Sequence, residues 1–292
     1  MEIAEKCLIL GAKGMLGTDL LDLMQRSGVH VIGLDLEEID IGSAESVERV
    51  FARSRPSLVV NVAAMTDVDA CETAVDKAFR TNASGPENLA ASCASHGTFL
   101  VHLSTDYVFD GESRSPYVEE HPTNPLGVYG KSKAEGELAV RRILPHQHCI
   151  VRTQWLFGLN GKNFVEAILG LAVKTDTLKV VDDQMGSPTS TIDLADALVR
   201  LINLEASGTY HVTNSHAVTW HGFAEKILQI HGIRDVRVEP ITTAQLGRPA
   251  PRPKNSVLSN SKFAQLAGSS LRPWEEALSH YLELRAGLER TT

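Results

Sequence analysis

Cys7-Leu8-Ile9-Leu10-Gly11-Ala12-Lys13-Gly14-Met15-Leu16-Gly17 joins a short apolar run to glycines spaced GxxGxxG. The run has the length and composition of a buried strand, and the amphipathic stretch Leu16–Ser27 reads as a helix. A strand, a glycine turn and a helix in that order aim free backbone N–H groups and the positive end of a helix dipole at one point. Glycine permits the tight turn and lets backbone approach a pyrophosphate closely. Glycine spacing alone would be weak evidence. Set between a strand and a helix at the start of a strand–helix–strand unit, it predicts a dinucleotide site at Gly11, Gly14, Met15, Leu16 and Gly17.

The same alternation continues outward. Val29–Leu34, Leu58–Val62, Phe99–Leu103 and Cys149–Val151 are further strand-like runs, and Ser43–Arg53 and Ala74–Ser95 are amphipathic. Repeated strand–helix–strand order implies right-handed crossovers and a parallel sheet covered on both faces. Ligands of such sheets bind at the carboxyl ends of the strands, where strand order reverses. After about residue 155 the rhythm loosens. Leu178–Val181 and Thr209–Val212 read as strands, and Asp193–Asn203, Trp220–His231 and Pro273–Leu284 as helices. Gly247-Arg248-Pro249-Ala250-Pro251-Arg252-Pro253-Lys254 carries three prolines in eight residues, so it reads as an ordered loop near a ligand or a lobe boundary.

At 292 residues, 43% apolar and 22% charged, the chain has ordinary globular composition. A formal net charge of −8 and the lack of any Lys/Arg-rich run argue against nucleic acid as a partner. No apolar stretch approaches the ~18 residues of a membrane span, and no cleavable leader is visible, so cytoplasm is the expected compartment. Cys7, Cys71, Cys93 and Cys149 lie far apart and read as buried reduced thiols, with no metal-binding spacing.

Three further places carry chemistry. Asp35 ends the second strand-like run, where a carboxylate accepts hydrogen bonds from adenosine ribose hydroxyls and repels a 2′-phosphate. That favours NAD, with use of NADP left open. Ser104-Thr105-Asp106 follows the fourth run, placing hydroxyls beside a nicotinamide, where they can hold a carbonyl oxygen as it becomes an alkoxide. Tyr129-Gly130-Lys131-Ser132-Lys133 contains YxxxK. On a helix Tyr129 and Lys133 share a face, so the ammonium is expected to lower the pKa of the phenol, while Lys131 points to solvent.

These pieces, together with Asn61-Val62-Ala63-Ala64-Met65-Thr66-Asp67-Val68-Asp69, Ser104-Thr105-Asp106-Tyr107-Val108-Phe109-Asp110-Gly111, Val128-Tyr129-Gly130-Lys131-Ser132-Lys133, Val151-Arg152-Thr153-Gln154-Trp155, Asp183-Gln184-Met185-Gly186-Ser187-Pro188-Thr189 and Arg252-Pro253-Lys254-Asn255-Ser256-Val257-Leu258, resemble the extended short-chain dehydrogenase/reductase superfamily and, within it, the dTDP-4-dehydrorhamnose reductase family. The likeness covers nearly the whole chain. It implies an α/β, Rossmann-type doubly wound parallel sheet with a smaller C-terminal substrate-binding lobe. Residues 1–155, with parts of 175–205, would bind NAD(P), and 156–292 would mainly form the lobe.

The resemblance also implies roles. Thr105, Tyr129 and Lys133 would be catalytic. Gly14, Met15 and Leu16 would line the pyrophosphate, Asp35 the ribose, and Asp40 with Ile41 the adenine. Ala63, Ala64, Met65, Thr66, Asn82 and Leu103 would border the cofactor, NADH or NADPH. Val68, Thr105, Asp106, Tyr107, Tyr129 and Trp155 would touch the nucleotide sugar, with Arg252 near its phosphates. The implied reaction is reduction of the C4 ketone of dTDP-4-dehydro-L-rhamnose to dTDP-L-rhamnose, and a homodimer is a family expectation. Leu103, Met65 and Ala70 depart from the usual residues of their segments, and no metal is carried over. A nucleotide-sugar dehydratase would need a carboxylate where Tyr107 stands. A 4-epimerase and a non-catalytic regulatory subunit are the other readings, the last disfavoured by the complete Thr105, Tyr129 and Lys133 set.

Overall fold

A computed structural model describes residues 6–289 of the chain. In it β1 (Cys7–Leu10) is buried at every position, and its side chains divide by period two. Cys7 and Ile9 enter one core, and Leu8 and Leu10 enter another on the opposite face. A strand buried on both faces needs no polar alternation, which is why the sequence reads as a continuous apolar run.

Along the first half follow α1 (Met15–Arg26), β2 (Val31–Leu34), α2 (Ala44–Ser54), β3 (Leu58–Asn61), α3 (Val68–Thr73), α4 (Val75–Phe79), α5 (Gly85–His96), β4 (Phe99–Thr105), α6 (Val128–Ile143) and β5 (His148–Thr153). Then come β6 (Leu156–Phe157), α7 (Phe164–Ala172), β7 (Thr177–Val181), β8 (Met185–Gly186), β9 (Thr189–Ser190), α8 (Thr191–Asn203), β10 (Gly208–His211), β11 (Val218–Thr219), α9 (Trp220–His231), β12 (Arg237–Ile241), α10 (Thr243–Leu246), α11 (Ser261–Ala267) and α12 (Trp274–Glu289).

Among the described residues the central sheet has six strands in the order β10-β5-β4-β3-β1-β2, all parallel. The chain leaves β1 for β2 on one side and returns to β3 on the other, so strand order reverses at β1. One face carries α1 and α8. The other carries α2, α5 and α6. This is the doubly wound Rossmann-type sheet that the alternation implies.

Two local readings change. Ser104 and Thr105 do not follow β4 but are its last residues, paired with Arg152 and Thr153 of β5. The stretch 74–95 is also not one helix. Between α4 and α5 the ladder widens into a π turn, Arg80–Ser84. The carbonyl of Asn82 would ordinarily accept from residue 86, which is proline and has no N–H, so the regular ladder cannot continue there. The freed turn also meets α6 closely, since a Cβ on Gly136 would lie 2.2 Å from the Asn82 carbonyl oxygen.

A second core lies C-terminal in sequence. It joins α7, α9 and α12 to the parallel pair β7–β12, around Phe157, Phe223, Trp274 and Leu278. The two cores share the chain unevenly. β7, at Thr177–Val181, belongs to the second, whereas α8, β10 and Phe263 of α11 pack with the main sheet. All four cysteines are buried and free, as expected. Among the described residues no helix is long and apolar enough to cross a membrane.

Candidate active site

The glycine turn is built by close approach. Gly11 sits at φ 81, and a Cβ there would meet Ala63 backbone at 2.8 Å. A Cβ on Gly17 would stand 2.1 Å from the Gly11 carbonyl oxygen. Larger side chains are excluded at both positions, and α1 begins directly behind the turn with its first N–H groups facing the carboxyl ends of the strands. A cleft of about 710 Å³ opens there. Its wall brings together Gly11, Gly14, Met15, Leu16, Gly17, Asp35, Asp40, Ile41, Ala63, Ala64, Met65, Thr66 and Leu103. That volume and the glycine cradle fit an extended dinucleotide.

Asn82 is not on this wall. It is buried behind it, where Oδ1 accepts from Met65 N at 2.8 Å and Nδ2 donates to Met65 O at 3.0 Å and to Ser132 Oγ at 3.1 Å. It thereby pins the Met65 backbone that borders the cleft. Lys13, Lys77, Arg80 and Thr81 also line the wall, beyond the residues that the sequence predicts. The signal was readable in part, because residues 77, 80 and 81 share one helical face.

At the far end of the cleft the Asp35 carboxylate is already engaged. Oδ2 accepts from Lys13 N at 2.9 Å and Oδ1 from Leu36 N at 2.8 Å. Lys13 pairs with Glu37 at 2.8 Å, and Arg80 pairs with Asp40. Carboxylates and cations therefore alternate around this end, so Asp35 does not present an isolated negative charge.

Thr105, Tyr129 and Lys133 are not on the cleft wall themselves, but adjoin it through Leu103, which lies two residues before Thr105 on β4. Thr105 Oγ1 donates to Asp106 Oδ1 at 2.9 Å and accepts from Tyr107 N at 3.2 Å. The Tyr107 and Tyr129 rings meet edge to face at 5.6 Å. Lys133 Nζ donates to the Leu103 carbonyl oxygen at 2.6 Å, tying α6 to the end of β4. One expectation fails here. Burial raises the pKa of the Tyr129 phenol, a hydrogen bond with Thr105 works the other way, and the nearby Asp106 charge raises it further. Burial also brings the Lys133 ammonium itself down to about 8, with Glu137 one turn further along opposing the change. Desolvation sets the direction for both groups, against the Glu137 carboxylate beside Lys133 and the Thr105 hydroxyl beside the phenol.

Burial pushes the Asp106 carboxyl up to about 6, against hydrogen bonds from Ser256 and Thr105. Val68 opens α3, and the next residue, Asp69, reaches the proline-rich loop. Asp69 Oδ2 pairs with Arg252 at 3.0 Å and Arg248 at 3.4 Å, and Oδ1 accepts from Ala250 N at 3.1 Å. Arg252 Nη1 also donates to the Ala250 carbonyl oxygen at 2.8 Å, and its charge lies near Tyr107. The loop is thus fastened to the site's rim, and Arg252 carries an internal counter-charge.

Trp155 lies just past β5 with φ 50. Left-handed backbone at a bulky residue costs on the order of 1–3 kcal/mol and persists only where its surroundings hold it. Behind these residues a buried ion pair joins α6 to β5. Arg152 Nε and Nη2 donate to Glu137 Oε1 and Oε2 at 2.8 and 2.7 Å. Arg152 also lies over the Phe109 ring at 5.0 Å. The pairing holds the Glu137 carboxyl down to about 2, although burial alone would raise it.

Comparison with known proteins agrees with this geometry. The family model described as the RmlD substrate binding domain matches residues 5–286. A dTDP-4-dehydrorhamnose reductase of Streptomyces griseus is 43% identical over 277 residues, covering 93% of this chain and 91% of the relative. A solved dTDP-4-dehydrorhamnose reductase from Clostridium acetobutylicum superposes with TM-score 0.93 at 43% identity, covering 96% of this chain and 99% of that one. Another, from Bacillus anthracis in complex with NADP, superposes with TM-score 0.91 at 36% identity, covering 95% and 98%. With the glycine cradle, the Thr105–Tyr129–Lys133 cluster and these likenesses together, the chain belongs to the RmlD family, that of the dTDP-4-dehydrorhamnose reductases.

Proposed function

We propose that this chain is an NAD(P)H-dependent oxidoreductase that reduces the C4 ketone of dTDP-4-dehydro-L-rhamnose to dTDP-L-rhamnose. The observation that carries the reading is the gathering of Thr105, Tyr129 and Lys133 at the end of β4, where Tyr107 meets Tyr129 with its ring and Thr105 with its N–H and Lys133 bonds the Leu103 carbonyl oxygen, beside a cleft cradled by Gly11 and Gly17. The cleft would hold the dinucleotide through the N–H groups of the turn, with Asp35 and Asp40 at the adenosine end. When bound, NAD(P)H supplies hydride to the ketone carbon. The cations Lys13, Lys77 and Arg80 on the cleft wall support use of NADPH as well as NADH.

The residues of the chain supply position and protons. Thr105 turns its hydroxyl from Asp106 toward the ketone oxygen, and Tyr129 gives that oxygen its phenolic proton as negative charge develops there. A phenol whose pKa is raised by burial stays protonated until the alkoxide forms, which suits a proton donor. Lys133, anchored to Leu103, presents a cation next to the phenol's helix turn and steadies the phenolate left behind. Val68, Asp106, Tyr107 and Trp155 form the sugar side of the site, and Arg252 meets the diphosphate after loosening from Asp69. The main sheet forms the cofactor domain and the second core the substrate lobe. The enzyme would work in the cytoplasm, and a homodimer is the expected assembly.

The direct test is NADPH or NADH consumption with dTDP-4-dehydrorhamnose. Stoichiometric oxidation with formation of dTDP-rhamnose supports the reading. Interconversion of sugars without net cofactor oxidation would instead identify an epimerase.

A further inference from the structure

The strained residue Trp155 is held from three sides. Its indole stacks on that of Trp220, with centroids 3.5 Å apart and planes 13° from parallel. Gly186 presses against it, because a Cβ there would come within 2.6 Å of Trp155 Cε2 and 2.8 Å of Cζ2. Its carbonyl oxygen accepts from Thr189 N at 3.1 Å. Trp220 is fixed in turn. Its Nε1 donates to Gln184 Oε1 at 3.2 Å, and Gln184 Nε2 donates to Thr243 Oγ1 at 2.9 Å. The Phe164 ring lies 4.5 Å from Trp220, and Phe223 packs in the same group. Trp220 is the first residue of α9, capped by Thr219, so its place is set by the second core.

Trp155, by contrast, belongs to the main sheet's rim. It stands two residues beyond Thr153, the register partner of Thr105. The stacked pair therefore joins the second core to the rim of the main sheet, just past the strand end that pairs with Thr105. Two flat rings in van der Waals contact make one stiff wall, and a left-handed backbone leaves Trp155 few other places to go. An aromatic face of this kind suits the apolar C–H face of a pyranose ring.

We propose that Trp220 is a positioning residue for the sugar: it fixes the Trp155 indole as a wall of the substrate site, so that the second core determines where the hexose ring sits. Trp220 itself does not touch the reacting atoms. The proposal rests on the reading that Trp155 borders the nucleotide sugar.

The test uses the full-length enzyme with dTDP-4-dehydrorhamnose and NADPH, and compares Trp155→Ala, Trp220→Ala, Trp220→Phe and the Trp155→Ala/Trp220→Ala double variant. Stacked indoles give an exciton couplet in circular dichroism, which reports the pair directly. Trp220→Ala is expected to abolish the couplet and raise KM for the sugar about tenfold, with KM for NADPH unchanged within about twofold. Trp220→Phe restores most of the sugar affinity, because a flat ring is retained, and the double variant is no worse than Trp155→Ala alone. If Trp220→Ala does not fold, Trp220→Leu keeps apolar bulk in the second core and removes the flat face, and the same split in KM is expected of it. An unchanged sugar KM in a variant that has lost the couplet overturns the proposal. So does an equal rise in both KM values, which would mark a general structural role, or additivity in the double variant. If Trp155→Ala leaves the sugar KM unchanged, the underlying placement of Trp155 fails. If Trp155→Ala raises it and the Trp220 variants do not, only the role of Trp220 fails.

Discussion

Arg152 and Glu137 face each other through two parallel hydrogen bonds at 2.8 and 2.7 Å, with both side chains cut off from solvent. The pair ties β5 to α6, the helix that carries Tyr129 and Lys133. Truncating one partner leaves a buried charge unpaired, so Glu137→Ala should destabilise the fold by about 3–5 kcal/mol in urea unfolding. A double replacement by apolar residues, Glu137→Leu with Arg152→Met, should cost less than the single change. Losses that add, with Arg152→Met measured alone as well, would show that the pair is not coupled. The pH dependence has a definite sign. The Glu137 carboxyl is held at about 2, below its ordinary 4.5. Its contribution to stability is complete above about 4.5 and is lost as pH falls toward about 2.

Tyr129→Phe removes the proposed proton donor but leaves the ring that meets Tyr107 edge to face. Turnover should fall about a hundred- to ten-thousand-fold, with NADPH affinity nearly unchanged in equilibrium titration. A normal rate in this variant would assign the proton to another group.

Burial draws the Lys133 ammonium down to about 8. A cation is needed there to steady the phenolate, so kcat/KM in the reductive direction should decline as pH rises through about 8 in the free enzyme. Lys133→Met should be slow at every pH and should lack that limb. A wild-type profile flat across this range would mean that Lys133 titrates elsewhere.

Gly17→Ala brings a methyl group against the Gly11 carbonyl oxygen, which a Cβ would approach to 2.1 Å. The turn and the first residues of α1 must shift apart. Thermal unfolding should occur at lower temperature, reflecting a loss of about 1–3 kcal/mol, and NADPH should bind at least about tenfold more weakly. Retention of both properties would place the close approach outside the cofactor cradle.

The central sheet was legible because its signals are local. Strands buried on both faces are apolar at every position, and Cys7–Leu10 was bounded correctly for that reason. Trp220–His231 was bounded correctly too, with Thr219 capping its start and Gly232 in left-handed conformation closing its end. The break inside 74–95 was missed, although Pro86 marked it, because amphipathic spacing survives a single widened turn. The site was legible as a roster of residues but not as an electrostatic arrangement. Spacing put Tyr129 and Lys133 on one helix face. It could not reveal that Lys133 would reach the Leu103 carbonyl, or that burial would dominate the titration of both groups.

From its own residues alone the chain dictated a glycine turn between a strand and a helix, a parallel sheet sealed on two faces, and a phenol and an amine one helical turn apart. Each of these follows from backbone geometry over a few neighbouring positions. Tertiary packing decided which distant groups would meet: Asp69 with Arg252, Glu137 with Arg152, and Trp155 with Trp220. Those partners come from separate elements, and their pairing is chosen by the layering of two cores and by the withdrawal of charge from water, which no local run of sequence records.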